Sequence, residues 1–214
     1  MNNSHKGANL REKLKQALNS TYKVISDNIE IKEKLEKNKN LKKFDFFEFD
    51  NLNTKSDFIK ARAETDSSAL KKKFSNEEIY KKNLPLNSSC KSLYSIAEKI
   101  RYEALGAEML KGINKNLKEN YNQIISFKRK DQLKTKEDVT IVEAFELYML
   151  KKFHNIELNS LTNKMLDFWK NDFDSSIGKH IDYLKSNLEN QNNYSSKFSE
   201  IFENMDIFQN EDDE

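Results

Sequence analysis

The sequence predicts a mainly α-helical fold, a bundle-like helical domain with a small antiparallel β element near residues 44–75. Three observations lead there. Apolar residues recur three and four apart along most of the chain, the spacing that gathers side chains on one face of a helix. Proline occurs once and glycine four times in 214 residues, too few for the many tight turns of a β-sandwich or barrel. Leu, Ile, Val and Phe supply 54 residues, enough to build a core rather than leave the chain disordered. The length suits one substantial domain or two small ones.

Leu10, Leu14, Ala17, Leu18, Thr21, Val24 and Ile25 keep helical spacing and predict a helix over 9–26. Residues 28–43 are polar, with Glu30/Lys34 and Glu33/Lys37 one turn apart, and read as a solvated helix or a basic connector. The pattern then shifts. Phe44–Asp50 interleaves aromatics with charges, and Ile59, Ala61 and Ala63 alternate with Lys60 and Arg62, so both stretches read as short strands, with Ser68–Phe74 a third. Ser88 or Ser89 is placed to cap a helix carrying Leu93, Tyr94, Ala97, Ile100, Ala104 and Leu105. Gly106 and Gly112 flank Met109, and the stripe resumes at Ile113, Leu117, Tyr121 and Ile124.

Thr135 followed by Glu137 and Asp138 marks a helix start leading through Val142, Phe145, Met149 and Phe153. A last long element carries Leu161, Met165, Trp169, Phe173, Ile177, Ile181, Leu184 and Leu188, and Phe198, Ile201, Phe202 and Met205 close the set. The chain thus divides into a basic helical segment, 1–43, a helical domain with a small sheet, 44–205, and the start of an acidic linker or tail, 206–214.

Net charge is only +2, but it is distributed as +6 over residues 1–43, +1 over 44–92 and −5 over 93–214. The basic stretches Lys32–Lys43 and Lys71–Lys73 are candidates for nucleic-acid contact. The first is interrupted by Glu33 and Glu36, and only four of the 37 basic residues are arginine, the side chain best suited to bidentate base contacts. Nucleic acid is therefore disfavoured as a partner. Mean hydropathy is −0.89 and no apolar run exceeds Leu147–Leu150, so neither a membrane span nor a secretory signal is expected. Cytoplasmic residence is the default.

Few residues suggest catalysis. His5, His154 and His180 are dispersed, the glycines form no phosphate-binding loop, and Cys90 has no partner for an internal disulfide. Cys90 is read as a buried structural thiol. The triplets Asp66-Ser67-Ser68 and Asp174-Ser175-Ser176 lack the Asp-x-Ser-x-Ser spacing that lets three oxygens converge on one magnesium ion, and are read as caps or turns. No catalytic, cofactor or metal residue is assigned, and the residues alone describe a helical interaction module.

The helix after Ser89 is more telling. Glu98-Lys-Ile-Arg101-Tyr-Glu103-Ala104-Leu-Gly106-Ala107, continuing to Gly112 and Asn116-Leu117, resembles the E-x-x-R-x-E-A-x-G…G…N-L signature of the CobT-type subunit of aerobic cobaltochelatase. Ala63–Leu70, Leu166-Asp167-Phe168-Trp169, Ile177-Gly178, Leu184–Gln191 and the acidic ending are similar to further family features in the same order. Leu110 departs from the family's usual Met, and the first 55 residues align poorly.

The resemblance covers about residues 57–214. It implies the N-terminal region of a subunit that couples an AAA+ ATPase to Co²⁺ insertion into hydrogenobyrinic acid a,c-diamide, held by a large corrin-binding subunit. The chain alone would not be catalytic. ATP, Mg²⁺ and Co²⁺ belong to the complex, and the family's magnesium-binding von Willebrand-like domain lies beyond the acidic linker. The residues of interest are Arg101, Glu103, Gly106, Gly112, Asn116 and Trp169, as partner contacts or structural groups. Arg101 and Glu103, two apart, should face different neighbours; the glycines and Asn116 should fix a helix-turn; and Arg101→Glu should weaken partner binding while sparing helical content. The alternative is a non-catalytic helical adaptor, associated with nucleic acid.

Overall fold

The structure, a computed structural model, describes residues 2–26, 54–127 and 135–205, and among them all regular structure is helical. Ten α-helices follow one another in these residues: α1 (Asn2–Ile25), α2 (Lys55–Phe74), α3 (Glu77–Lys82), α4 (Ser88–Met109), α5 (Lys111–Phe127), α6 (Ile141–Phe153), α7 (Ser160–Asp167), α8 (Lys170–Ser176), α9 (Ile181–Ser186) and α10 (Gln191–Glu203). Short 3₁₀ turns at Lys136–Asp138 and Gly178–His180 precede α6 and α9. The helical reading of 28–43, the strand reading of Phe44–Asp50 and the tail 206–214 lie outside the described residues. Among the described residues no helix is long and apolar enough to cross a membrane.

The expected strands at Phe58–Ala63 and Ser68–Phe74 are instead one helix, α2. A capping box starts it: the Asp57 backbone N–H donates to Thr54 Oγ1 (3.2 Å), and the Thr54 N–H donates to Asp57 Oδ2 (2.7 Å). Beyond the cap the buried residues Ala61, Thr65 and Ala69, then Asp66 and Leu70, stand four apart. The period-2 alternation over 59–63 was too short to outweigh three alanines and this longer register. Asn87, rather than Ser88 or Ser89, caps α4, accepting from the Ser89 and Cys90 N–H groups (2.8 and 3.3 Å).

The predicted start at Thr135 caps only a 3₁₀ turn. The helix begins again at Thr140, whose own capping box with Glu143 opens α6. The expected long element from Leu161 to Leu188 is broken into α7, α8 and α9. An unbroken helix there would run about 42 Å, well past a core of this size. Asn171, Asp172, Asp174, Ser175 and Ser176 weaken it, and Ser175 Oγ already donates to the Asp172 carbonyl (3.0 Å). The apolar positions still serve, for Met165, Phe173, Ile177, Ile181, Leu184 and Leu188 are all buried.

Helix α4 is the spine, packed by α2, α5, α6 and α10. Beside it Phe145 of α6 meets Phe173, Phe198 and Phe202 edge-on, with ring centroids 5.7, 6.3 and 5.6 Å away. Helix α1 lies on α2, with Leu14 and Leu18 against Phe58 and Ala61, while Tyr22 and Ile25 reach the main core. Val24, expected on the apolar face, is exposed.

Gly106 sits within α4 rather than at the turn; the joint with α5 is the extended residue Leu110. A Cβ at Gly106 would lie 2.4 Å from both Leu70 methyl carbons, so this glycine sets how closely α2 approaches α4. Gly106→Ala is expected to destabilise the fold by about 1–3 kcal/mol in urea denaturation, despite alanine's better helix propensity. Most of that cost should vanish in a Leu70→Ala background, the signature of coupling between contacting residues.

Candidate functional site

The residues singled out in the sequence lead to a polar network buried around α4. Arg101 is 1% exposed. Its Nε and Nη2 donate to the two carboxylate oxygens of Glu98, one turn earlier, both at 2.9 Å. Nη1 donates to the Leu188 carbonyl (2.8 Å) and Nη2 also to that of Phe74 (2.6 Å). Phe74 ends α2, so the guanidinium satisfies a carbonyl that a helix C-terminus leaves without a partner, and opposes the dipole there.

Glu98 in turn accepts from Ser75 Oγ and from Gln191 Nε2, the latter at 3.1 Å. Gln191 also exchanges two hydrogen bonds with the Asn76 backbone (2.7 and 3.1 Å). One ion pair therefore ties together the end of α2, the middle of α4, the chain after α9 and the start of α10.

Glu103 leaves α4 in another direction. It accepts from Ser67 Oγ of α2 (2.5 Å) and from the Tyr121 hydroxyl of α5. Burial pushes its carboxyl above the usual carboxylate range, opposed by nearby Lys99. Tyr121 is raised well above an ordinary phenol by burial and then by the Glu103 charge. Asn116, on α5, donates to Asp66 Oδ2 (2.7 Å) and accepts from Arg62 Nη2 (2.7 Å). Burial raises the Asp66 carboxyl, and the Asn116 bond and the Arg62 charge only partly offset this.

Arg101, Glu103, Gly106 and Asn116 thus all hold α2 against α4 and α5. Asp66 and Ser67, taken from sequence as a cap or turn, are mid-helix members of the same joint. Trp169 stands elsewhere: its Nε1 donates to the Val139 carbonyl (2.9 Å), and Lys136 lies 4.1 Å over its ring while pairing with Asp172 (2.6 Å). Gly112 follows the α4–α5 joint and borders open space, since a Cβ there would meet no atom within 4 Å.

Sequence reasoning passed over Ser75 and quoted Gln191 only as the end of a family-like stretch; the partners of both are far along the chain. It quoted Glu98 only as part of a motif, although the i, i+3 spacing to Arg101 is itself an ion-pair signal. Cys90 is buried. Among the described residues no three His, Cys, Asp or Glu side chains are grouped to hold a metal ion.

The family model of the cobalamin biosynthesis protein CobT matches residues 8–214. The chain belongs to the CobT family. Membership places it in cobalamin biosynthesis, in a family that is part of the multi-subunit cobaltochelatase, a metal-inserting, ligase-type enzyme. No solved structure matches it. The positions that resemble the CobT signature, Glu98, Arg101, Glu103, Gly106 and Asn116, are the ones that knit α2, α4, α5 and α10 together.

The burial of Arg101 changes what its substitution should do. Arg101→Glu places two carboxylates where one guanidinium served and leaves two backbone carbonyls without donors. Urea denaturation should show a loss of about 3–5 kcal/mol, as when one partner of a buried pair is removed, and circular dichroism should show reduced helix content rather than a fold left intact.

A second expectation concerns pH. His154, at the end of α6, is lowered to about 4, first by burial and then by Lys118 and Lys99. Its folded value lies below its unfolded one, so its contribution is complete above about 6.5 and is lost as pH falls toward 4. Glu103 and Asp66, both raised, act oppositely, favouring the fold at low pH and less so as pH rises through their folded values. Stability measured by urea denaturation from pH 7 to 4 should lose roughly 2–3 kcal/mol through His154, and His154→Phe should flatten that slope.

Proposed function

We propose that this chain is the coupling subunit of an ATP-dependent cobaltochelatase, linking an AAA+ ATPase to insertion of Co²⁺ into hydrogenobyrinic acid a,c-diamide held by a large corrin-binding subunit. The observation that carries the reading is the CobT family match across residues 8–214. Cobalt is substrate here, not a resident cofactor, and ATP with Mg²⁺ would act on the motor partner.

Inserting a divalent ion into a macrocycle requires the ring to deform. A coupling subunit must therefore transmit force without absorbing it. The buried network supports that role physically. Arg101 and Glu98 fix α2, α4 and α10 relative to one another, and Glu103, Tyr121 and Ser67 fix α5. A unit held by directional, charge-assisted bonds moves as one piece, because each bond tolerates little displacement before a buried charge is exposed unpaired.

The test is assembly. The chain mixed with an AAA+ partner of cobaltochelatase and ATP should give, by light scattering, a complex of defined mass that is absent without nucleotide or without the chain. A folded chain that stays separate while binding DNA in a salt-sensitive way, weakened by neutralising Lys71–Lys73, would replace this reading with that of a nucleic-acid-associated adaptor.

A further inference from the structure

We propose that Lys99, Lys118 and His154 form a binding site for a compact oxyanion, a carboxylate or a phosphate group, arranged around Tyr121. The three side chains arrive from three helices. Lys99 precedes Glu103 by one turn on α4 and shares its face. Because Glu103 holds the Tyr121 hydroxyl, Lys99 Nζ lies over the same ring, 5.5 Å from its centroid. Lys118 precedes Tyr121 by three residues on α5, again on one face. His154 comes from the end of α6, its ring centroid 5.8 Å from that of Tyr121.

The chain turns sharply just after His154. Asn155 adopts the left-handed conformation (φ 51°), and Ile156 N–H donates back to the Leu150 carbonyl (3.3 Å). Asparagine is the residue after glycine that best tolerates this geometry.

His154 is 5% exposed, and its Nε2 has no hydrogen-bond partner among the described residues. Buried polar atoms are almost always bonded, and each exception calls for an explanation. Neither Lys99 nor Lys118 forms an ion pair among the described residues, although the Lys99 charge does act on the Glu103 carboxyl, and both lysines act on His154 as like charges.

The carboxylates nearby do not balance them. Glu103 is committed to Ser67 and Tyr121, and burial disfavours its charged form; Glu146 of α6 is the other carboxylate that Glu103 and Tyr121 feel. Lys99 over the Tyr121 ring, His154 beside it with Nε2 unbonded, and the Lys118 charge acting on that imidazole thus leave positive charge in excess here. Ammonium groups are compact point donors, and with an imidazole they suit a small oxyanion rather than an extended planar ligand. The site does not rest on the chelatase reading.

The experiment is an NMR titration of the His154 imidazole in the full chain, with inorganic phosphate, with succinate, and with sodium chloride at matched ionic strength. An anion beside the ring favours the charged form. Phosphate or succinate should therefore raise the His154 midpoint by a unit or more beyond chloride. In Lys118→Gln the extra shift should fall to the chloride level with the thermal unfolding midpoint unchanged, and Lys99→Gln should behave alike. A response to succinate alone assigns a carboxylate ligand, and one to phosphate alone a phosphate. Equal shifts with all three salts, or an oxyanion shift that survives both lysine substitutions, overturn the site.

Discussion

The Arg101 guanidinium, buried against the Glu98 carboxylate, is the interaction on which the arrangement of the other helices depends. A guanidinium stays charged inside a protein, so its donors need partners. Here one carboxylate and two backbone carbonyls take four of its five N–H groups, and those carbonyls belong to segments 27 and 87 residues away. Such a requirement fixes geometry more strictly than apolar packing does, since a methyl group tolerates a shift of half an ångström and a charged hydrogen bond at 2.6–2.9 Å does not. The aromatic cluster around Phe145 fills the core beside α4. The ion pair decides which of the compact arrangements available to that cluster is occupied.

The second polar joint works differently. Glu103, Ser67 and Tyr121 form a neutral-leaning set, in which burial raises both the carboxyl and the phenol. Asp66 behaves likewise beneath Asn116 and Arg62. The two joints lie on different sides of α4, and Gly106 lets α2 approach closely enough to reach both. Within the signature, the arginine, the two glutamates, the first glycine and the asparagine are then understandable as a packing device, while Gly112 borders open space. Arg101, Glu98, Glu103 and Gly106 join α4 to its neighbours, and Asn116 joins α5 to α2.

Family membership and this architecture bear on each other without being the same statement. The CobT match establishes the biosynthetic context. The structure adds that the most characteristic residues face inward. Of the signature positions, Gly112 alone borders open space, while Glu98, Arg101 and Glu103 are buried.

The sequence by itself determined the helical class and most of the core. Helical spacing is set by the chain's own geometry, and so Leu93, Phe145, Phe173, Leu184 and Phe198 could be placed inside from their intervals alone. It also marked Arg101, Glu103, Gly106 and Asn116 as unusual. Only the tertiary structure decided the rest. Five alternating residues at 59–63 fit either a strand or a helix, and the choice fell to α2 because its alanines and Leu70 had α4 to pack against. Arg101 could have faced solvent or a partner, and it turned inward because Phe74 and Leu188, remote in sequence, present carbonyls to it. Gln191 joins the network from 93 residues beyond Glu98, a pairing that no local pattern encodes. His154 looked like any dispersed histidine until three helices closed around it, since desolvation and the charge of Lys99 and Lys118 exist only once the chain has folded.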